Sequence, residues 1–349
     1  MKKFYLLFFL PAFGHCQMSP VMPATLVALS DRHSLYLLDS ARTASTLLVD
    51  TVDRYFERVT AVEMSIQLKQ PLVPERSRAE WLSLFQDYLR RDAASFTAEE
   101  VAFATEVIRE VFETCQQVAP DLFPDTLWLA KIKGKPYGPS VYYTRQKTIA
   151  VPQDALQLRR RQDFLGTMYH ELFHVYSRHR SDKRAQLYGR IGFESIGLER
   201  LRLPAALAQR LLHNPDGVDF AQKITLKDAA GKVVHAVPII YANSPGYTPS
   251  KELFFAYLEF GLFEITPRAD GYWQVLTQPD GYSSTLNLRQ LPDFYRQIGD
   301  NTTYIIHPDE VLADNFSLLL LSKKNPAVLK NLSADGQRLL KDIEAILRR

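Results

Sequence analysis

One short segment restricts this chain more than any other: Tyr169-His170-Glu171-Leu172-Phe173-His174, an H-E-L-F-H run inside an apolar pattern of helical period. On a helix, residues four apart lie on the same side, so His170 and His174 share a face and Glu171 stands about 100° round from His170. Two neutral imidazoles so placed can hold a zinc ion while the carboxylate reaches an open coordination position. Such a site needs three protein ligands, and this helix supplies two. Any fold that uses it must bring a third from elsewhere in the chain.

The chain has room for that. Its 349 residues, 46% hydrophobic, suffice for a substantial core in one large domain or two smaller ones. Removing Lys2 and Lys3 from the formal charge of +3 leaves about +1 for the rest, which speaks against a nucleic-acid binder with its basic face or stripe. Met1-Lys2-Lys3 followed by the nearly all-apolar stretch from Phe4 to Phe13 has the charged and apolar regions of an export signal, with cleavage expected after Cys16. The apolar run is too short to span a bilayer. An exported protein, periplasmic or secreted in a bacterium, is therefore expected. A lipid anchor on Cys16 is the less favoured option, because bulky Phe13 and His15 precede it. Without Cys16, Cys115 has no disulfide partner, and its amphipathic helical surroundings predict a buried small hydrophobe. No later apolar run is long enough for a membrane span.

The pattern along the chain predicts the α+β class, with residues 1–16 as signal, an α-helical layer over 17–124 and a mixed-sheet domain over 125–349. Apolar residues at three- and four-residue spacing predict one long helix from about Ala41 to Leu68 and a second from about Ser77 to Arg91. Thr97 with Glu100 forms a capping-box pattern opening a third, which continues through Val118. Beyond Pro120 the texture changes. Leu127–Ile132, Ser140–Thr144 and Lys147–Val151 read as strands, the last two as a hairpin across Arg145-Gln146. The H-E-L-F-H helix follows from about Asp163 to His179. An exposed strand edge just before such a helix can hold an extended peptide as a further strand. The basic run from Arg178 to Arg184 reads as a solvated face at a helix C-terminus, with an acidic-substrate subsite the weaker alternative.

Further on, a short helix is expected over Leu203–Leu212, and His213-Asn214-Pro215-Asp216-Gly217 reads as a turn. Phe220–Leu226 and Lys232–Ala242 suggest a strand pair, and Tyr272–Thr277 and Ser283–Leu288 another. Between the two pairs, Thr248-Pro249 predicts the start of an aromatic-rich helix running to about Phe263. Finally, Pro308, with acids in the first turn, opens a buried helix to Leu321 whose Glu310 and Asp314 share a face.

Charges on an apolar helix are costly unless paired or bound to a metal. A structural ion pair with an arginine such as Arg296 is the ordinary explanation for Glu310 and Asp314. The favoured reading makes Glu310 the third ligand and Asp314 the carboxylate that orients a ligating histidine. Glu194, 20 residues after His174, is the competing ligand, but it sits between glycines without an acid four residues later. Glu252 and Glu259 lack such a partner too.

H-E-x-x-H on one helix with E-x-x-x-D on a later one resembles the gluzincin branch of the zincin metallopeptidases, the branch that includes thermolysin. The resemblance covers two short motifs and the strand-then-helix order, from Leu127 to Leu321. It implies a zincin-like domain in which His170, His174 and Glu310 bind Zn2+, Glu171 is the general base and Asp314 hydrogen-bonds one of the histidines. The separation of 136 positions from His174 to Glu310 exceeds the thermolysin pattern and suggests a β-rich insertion over roughly Gly217–Leu288. In the implied reaction Glu171 takes a proton from a zinc-activated water and returns it to the leaving amine of a peptide or protein substrate. An oxyanion donor is also needed. Tyr304 and His307 rank first as catalytic candidates because they lie nearest the Glu310 helix, ahead of Tyr241, Tyr247 and His235; His307 equally suits a helix cap. Two other functions share these residues: a non-catalytic, zinc-stabilised envelope binding protein, and a zinc amidohydrolase acting on a non-peptide substrate.

Overall fold

The computed structural model describes residues 20–349. The expected export signal and Cys16 lie outside the described residues. The architecture is α+β, built on two mixed sheets.

The first sheet begins earlier than the helical periodicity suggests. Strands β1 (Thr25–Ala28) and β2 (Ser34–Leu37) form a hairpin, and β2 pairs in parallel with β4 (Thr126–Ile132). The chain reaches β4 through α1 (Ser40–Thr46), α2 (Tyr55–Arg58), α3 (Ala61–Leu68), α4 (Arg78–Asp92), the two-residue β3 (Ala93–Ala94) and α5 (Ala98–Val118). The N-terminal region is thus not helical throughout: three of its strands belong to the sheet of β4, which ties residues on both sides of the 124/125 division together.

The single helix expected over Ala41–Leu68 is three. Its middle is broken where the Asp50 carboxylate accepts the Phe56 amide at 2.7 Å and Arg54 takes a left-handed φ of 57°. Short acids that bond the backbone locally compete with helix continuation. Thr60 then caps α3 by accepting the Glu63 amide. The capping boxes at Ser77/Glu80 and Thr97/Glu100 form, and they set the starts of α4 and α5.

After β4, the hairpin of β5 (Tyr143–Arg145) and β6 (Thr148–Pro152) completes a sheet of order β1-β2-β4-β6-β5, with β5 antiparallel at one edge. Leu127, Leu129, Ile149 and Val151 face a core shared with α5, α6 (Arg161–His179) and α10 (Pro308–Lys324). The opposite face, with Ala130, Ile132, Tyr143 and Ala150, packs against α3 and residues of the second sheet. Both faces being covered explains why β6 is apolar at every position but Thr148.

Helix α7 (Ser181–Arg190) leads into the second sheet, formed by β7 (Phe193–Ser195), β8 (Leu201–Arg202), β9 (Gln222–Lys227), β10 (Val233–Ala242), β11 (Leu258–Pro267) and β12 (Trp273–Val275), with α8 (Ala205–Arg210) against it. Helices α9 (Pro292–Ile298) and α11 (Ala334–Leu347) complete the chain.

The aromatic helix expected from Thr248 to Phe263 is instead loop and strand. β11 pairs with β10 from Ala236↔Glu264 to Ala242↔Leu258, and Phe263 and Ile265 point alternately into the core beside α8. Aromatic residues suit strand as well as helix, and seven paired residues of β10 settle the choice. Ser283–Leu288 is likewise not a full strand; Ser284 makes a single bridge to Thr277.

The basic run after the H-E-L-F-H segment is not uniformly solvated. Arg178 has a 2% exposed side chain, paired with Asp53 and donating to the carbonyls of Gln146 and Pro215. Lys183 donates to the Ile346 carbonyl. Arg180 alone of these three keeps to the surface, between Asp121 and Asp182. Cys115 is fully buried, with its thiol pushed up by burial. Among the described residues, no helix is long and apolar enough to cross a membrane.

Candidate metal centre

Helices α6 and α10 pack face to face, which brings His170, His174 and Glu310 together although the last two are 136 positions apart. One ligand atom from each lies within 4.8 Å of the others. Glu310 Oε2 is 3.0 Å from His170 Nε2 and 3.4 Å from His174 Nε2. The remaining ring nitrogens are held from behind. His170 Nδ1 donates to Asp314 Oδ1 at 2.9 Å, and His174 Nδ1 donates to Asp309 Oδ2 at 2.8 Å. Each carboxylate fixes its imidazole's orientation and leaves Nε2 turned toward the shared point.

The donor set suits a divalent cation such as zinc: two imidazole nitrogens, one carboxylate oxygen and oriented rings. Among the described residues His174 Nε2 is buried without a hydrogen-bond partner, an orphaned polar atom for which a cation would supply the missing contact. The other oxygen of Glu310 is already engaged, since Asn214 Nδ2 donates to Oε1 at 2.5 Å. Oε2 is therefore the atom left for a metal.

Glu171, one residue on from His170, turns into a cleft of about 570 Å³ lined also by His170, Tyr142, Asp216, Tyr304, Glu310 and Asp314. Its Oε2 is buried and, among the described residues, accepts no hydrogen bond. Burial, with the negative charge of Asp216 next, pushes its carboxyl up to about 8 against the pull of the two histidines. Burial disfavours charge on His170, yet its hydrogen bonds to Asp314 and Glu310 prevail and hold its pKa at about 10. His174 is likewise raised well above the usual histidine range, by Glu310, Asp216 and Asp309 against burial. Glu310 is driven well below the carboxylate range by the two histidines, again against burial.

The other candidates separate cleanly. Tyr304 lines the cleft with its ring stacked on that of His170, centroids 6.2 Å apart. Burial, followed by the carboxylates of Glu310, Asp216 and Glu171, pushes its hydroxyl well up. His307 does not line the cleft: it caps α10, its Nδ1 accepting the Asp309 amide at 3.1 Å and its Nε2 donating to the Asp219 carbonyl at 3.3 Å. With both nitrogens used, it has no proton to offer an oxyanion. Glu194 is surface-exposed and paired with Lys223, Glu252 and Glu259 are exposed, and Arg296 pairs with Asp293 rather than with Glu310 or Asp314. Tyr241 packs on Phe263 and Tyr282, Tyr247 on Tyr257, and His235 bonds Thr225.

Four residues of the site escape motif reading. Asp309 is 2% exposed and accepts from His174, Ser177 and Tyr188; its one available signal is its place directly before Glu310, 100° round the helix. Asn214 and Asp216 come from the turn after α8, Asp216 being tethered by the amide of Thr144 at 2.6 Å. Tyr142 precedes β5 at the sheet edge. No family model, curated protein or solved structure matches the chain.

Proposed function

We propose that the chain is a zinc-dependent hydrolase of peptide bonds, organised like a gluzincin. The observation that carries this reading is the convergence of His170 Nε2, His174 Nε2 and Glu310 Oε2, each histidine locked by its own carboxylate, beside a buried Glu171 whose Oε2 has no hydrogen-bond partner among the described residues, in an open cleft. When bound, zinc supplies a Lewis acid that polarises a substrate carbonyl and acidifies a water.

The chain's own groups do the rest. Among the described residues Glu171 Oε2 has no hydrogen-bond partner, which leaves it free to accept a proton from water and pass it to a leaving amine. Asp309 and Asp314 keep the imidazoles oriented. Tyr304, with a hydroxyl kept protonated at the cleft, is the donor for the developing oxyanion. A peptide substrate would lie along Val141 and Tyr142 rather than along β5: among the described residues β5 is the last strand of its sheet, but it is buried throughout, whereas Val141 and Tyr142 line the cleft and Phe255 offers apolar surface there. The outward amide of Thr144 is taken by Asp216, so strand addition stops at Tyr142. Export, as the N-terminal residues suggest, would place this activity in the cell envelope or outside.

The test is hydrolysis of a general peptide library by the zinc-loaded protein and by Glu171→Gln. The substitution should leave zinc stoichiometry unchanged and lower the rate by about 10²- to 10⁴-fold, the usual contribution of a general base. Undiminished cleavage by the variant refutes the role of Glu171. Zinc bound without cleavage of any peptide or ester by the intact protein favours a binding function.

A further inference from the structure

We propose that Glu63, on α3 of the N-terminal helical region, is a positioning residue for the metal centre, acting through His213 on Asn214; this rests on the zinc reading above. Glu63 is fully buried and its carboxylate takes four hydrogen bonds. Oε2 accepts both the backbone amide of His213 at 3.1 Å and its ring Nδ1 at 2.9 Å. Oε1 accepts from Tyr55 Oη at 2.8 Å and from Gln67 Nε2 at 3.1 Å. One turn earlier on the same segment, Thr60 Oγ1 donates to the Leu211 carbonyl at 2.9 Å.

A carboxylate buried at this depth is costly unless fully paired, and an apolar residue would hold α3 against the core as well. What the carboxylate adds is direction. Gripping main chain and ring of one residue fixes both the position and the rotation of His213. Pro215 restricts the chain two residues on. Between these two lies Asn214, whose amide reaches Glu310 Oε1 at 2.5 Å and so leaves Oε2 as the oxygen that would face a metal. The same turn ends on Asp216, at the wall of the cleft. Residues 150 positions upstream of the turn thereby set the third ligand.

The experiment is a double-mutant cycle read as zinc affinity, by competition with a chromophoric chelator, on the full chain. Glu63→Gln removes the negative charge and leaves one acceptor oxygen for four donors; it and Asn214→Ala should each loosen zinc by about 10- to 100-fold. If Glu63 acts through Asn214, the double variant binds zinc no more weakly than Asn214→Ala alone. Glu63→Asp keeps the charge but shortens the reach, and it supplies the same cycle if Glu63→Gln does not fold. Unfolding in the presence of chelator, followed by circular dichroism, separates a general loss of stability from a change at the centre. Wild-type zinc affinity in the folded Glu63 variants, or a loss that adds to that of Asn214→Ala, overturns the proposal while leaving the zinc reading intact. A wild-type protein that binds no zinc overturns both.

Discussion

Asp309→Asn perturbs the centre at a point the motif does not contain. The Asp309 side chain is buried; its Oδ2 accepts His174 Nδ1 at 2.8 Å and Ser177 Oγ at 2.9 Å, and its Oδ1 accepts Tyr188 Oη at 2.8 Å. Asparagine has the same shape. Its carbonyl oxygen can keep the His174 and Ser177 bonds, and its amide can face the Tyr188 hydroxyl, which turns to accept. Packing is retained and the negative charge behind His174 is lost. Removing such an outer partner lowers metal affinity by about 10- to 100-fold, or about 1.4–2.7 kcal/mol. The effect appears in thermal unfolding with and without zinc. At free zinc 100 times the wild-type Kd, binding stabilises the fold by about 2.7 kcal/mol; a tenfold weaker variant retains about 1.4 kcal/mol at that concentration. Asp309→Ala is the contrasting variant: it leaves His174 Nδ1 and Tyr188 Oη without an acceptor, at about 1–3 kcal/mol each, while Ser177 Oγ keeps the His174 carbonyl at 3.4 Å, and it lowers stability even with the metal chelated. An Asp309→Asn protein with wild-type zinc affinity refutes the view that this carboxylate governs His174.

Metal binding should release protons. In the metal-free protein His170, with a pKa of about 10, and His174, well above its usual range, both carry charge at neutral pH, whereas a ligand imidazole is neutral. Zinc uptake at pH 7 then releases protons, and affinity falls as pH is lowered; calorimetric titrations in buffers of different ionisation enthalpy detect the release, and heats independent of buffer contradict the protonated ground state. Glu194→Gln, at an exposed residue paired with Lys223, should leave zinc affinity unchanged in the same chelator assay, and a tenfold loss would reinstate it as a ligand. Gly217→Ala should cost about 1–3 kcal/mol in thermal unfolding, because the added Cβ would stand 2.2 Å from Nδ1 of the His307 ring, which is tied at both nitrogens; a wild-type melting temperature would show that the cap yields freely.

Some of this was legible in the residues alone because it depends on nearest neighbours along the chain. The helical spacing of His170 and His174, the capping boxes at Ser77 and Thr97 and the Pro308 helix start are all decided within one or two turns, and these four helices form where local pattern places them. Glu310 and Asp314 were legible as a pair for the same reason, as charges sharing one helical face.

What the tertiary structure alone decided is whatever depends on packing between distant segments. The stretch from Leu258 to Pro267 is a strand because β10 lies ready to pair with it, and no local propensity of its aromatic residues could state that. β1 and β2 are too short to announce themselves and are held by β4, about 90 residues later, a separation seen directly in the Ser34–Thr126 hydroxyl contact. Asp309 differs from Asp314 only by the direction α10 presents to α6, and Asn214 and Glu63 reach the centre through a turn and a buried carboxylate. Sequence spacing therefore determined which side chains share a face. Which face meets which was determined by the burial of α6 against α10 and of α3 beneath the 213–217 turn, where a charged or polar group persists only if another segment supplies its partner.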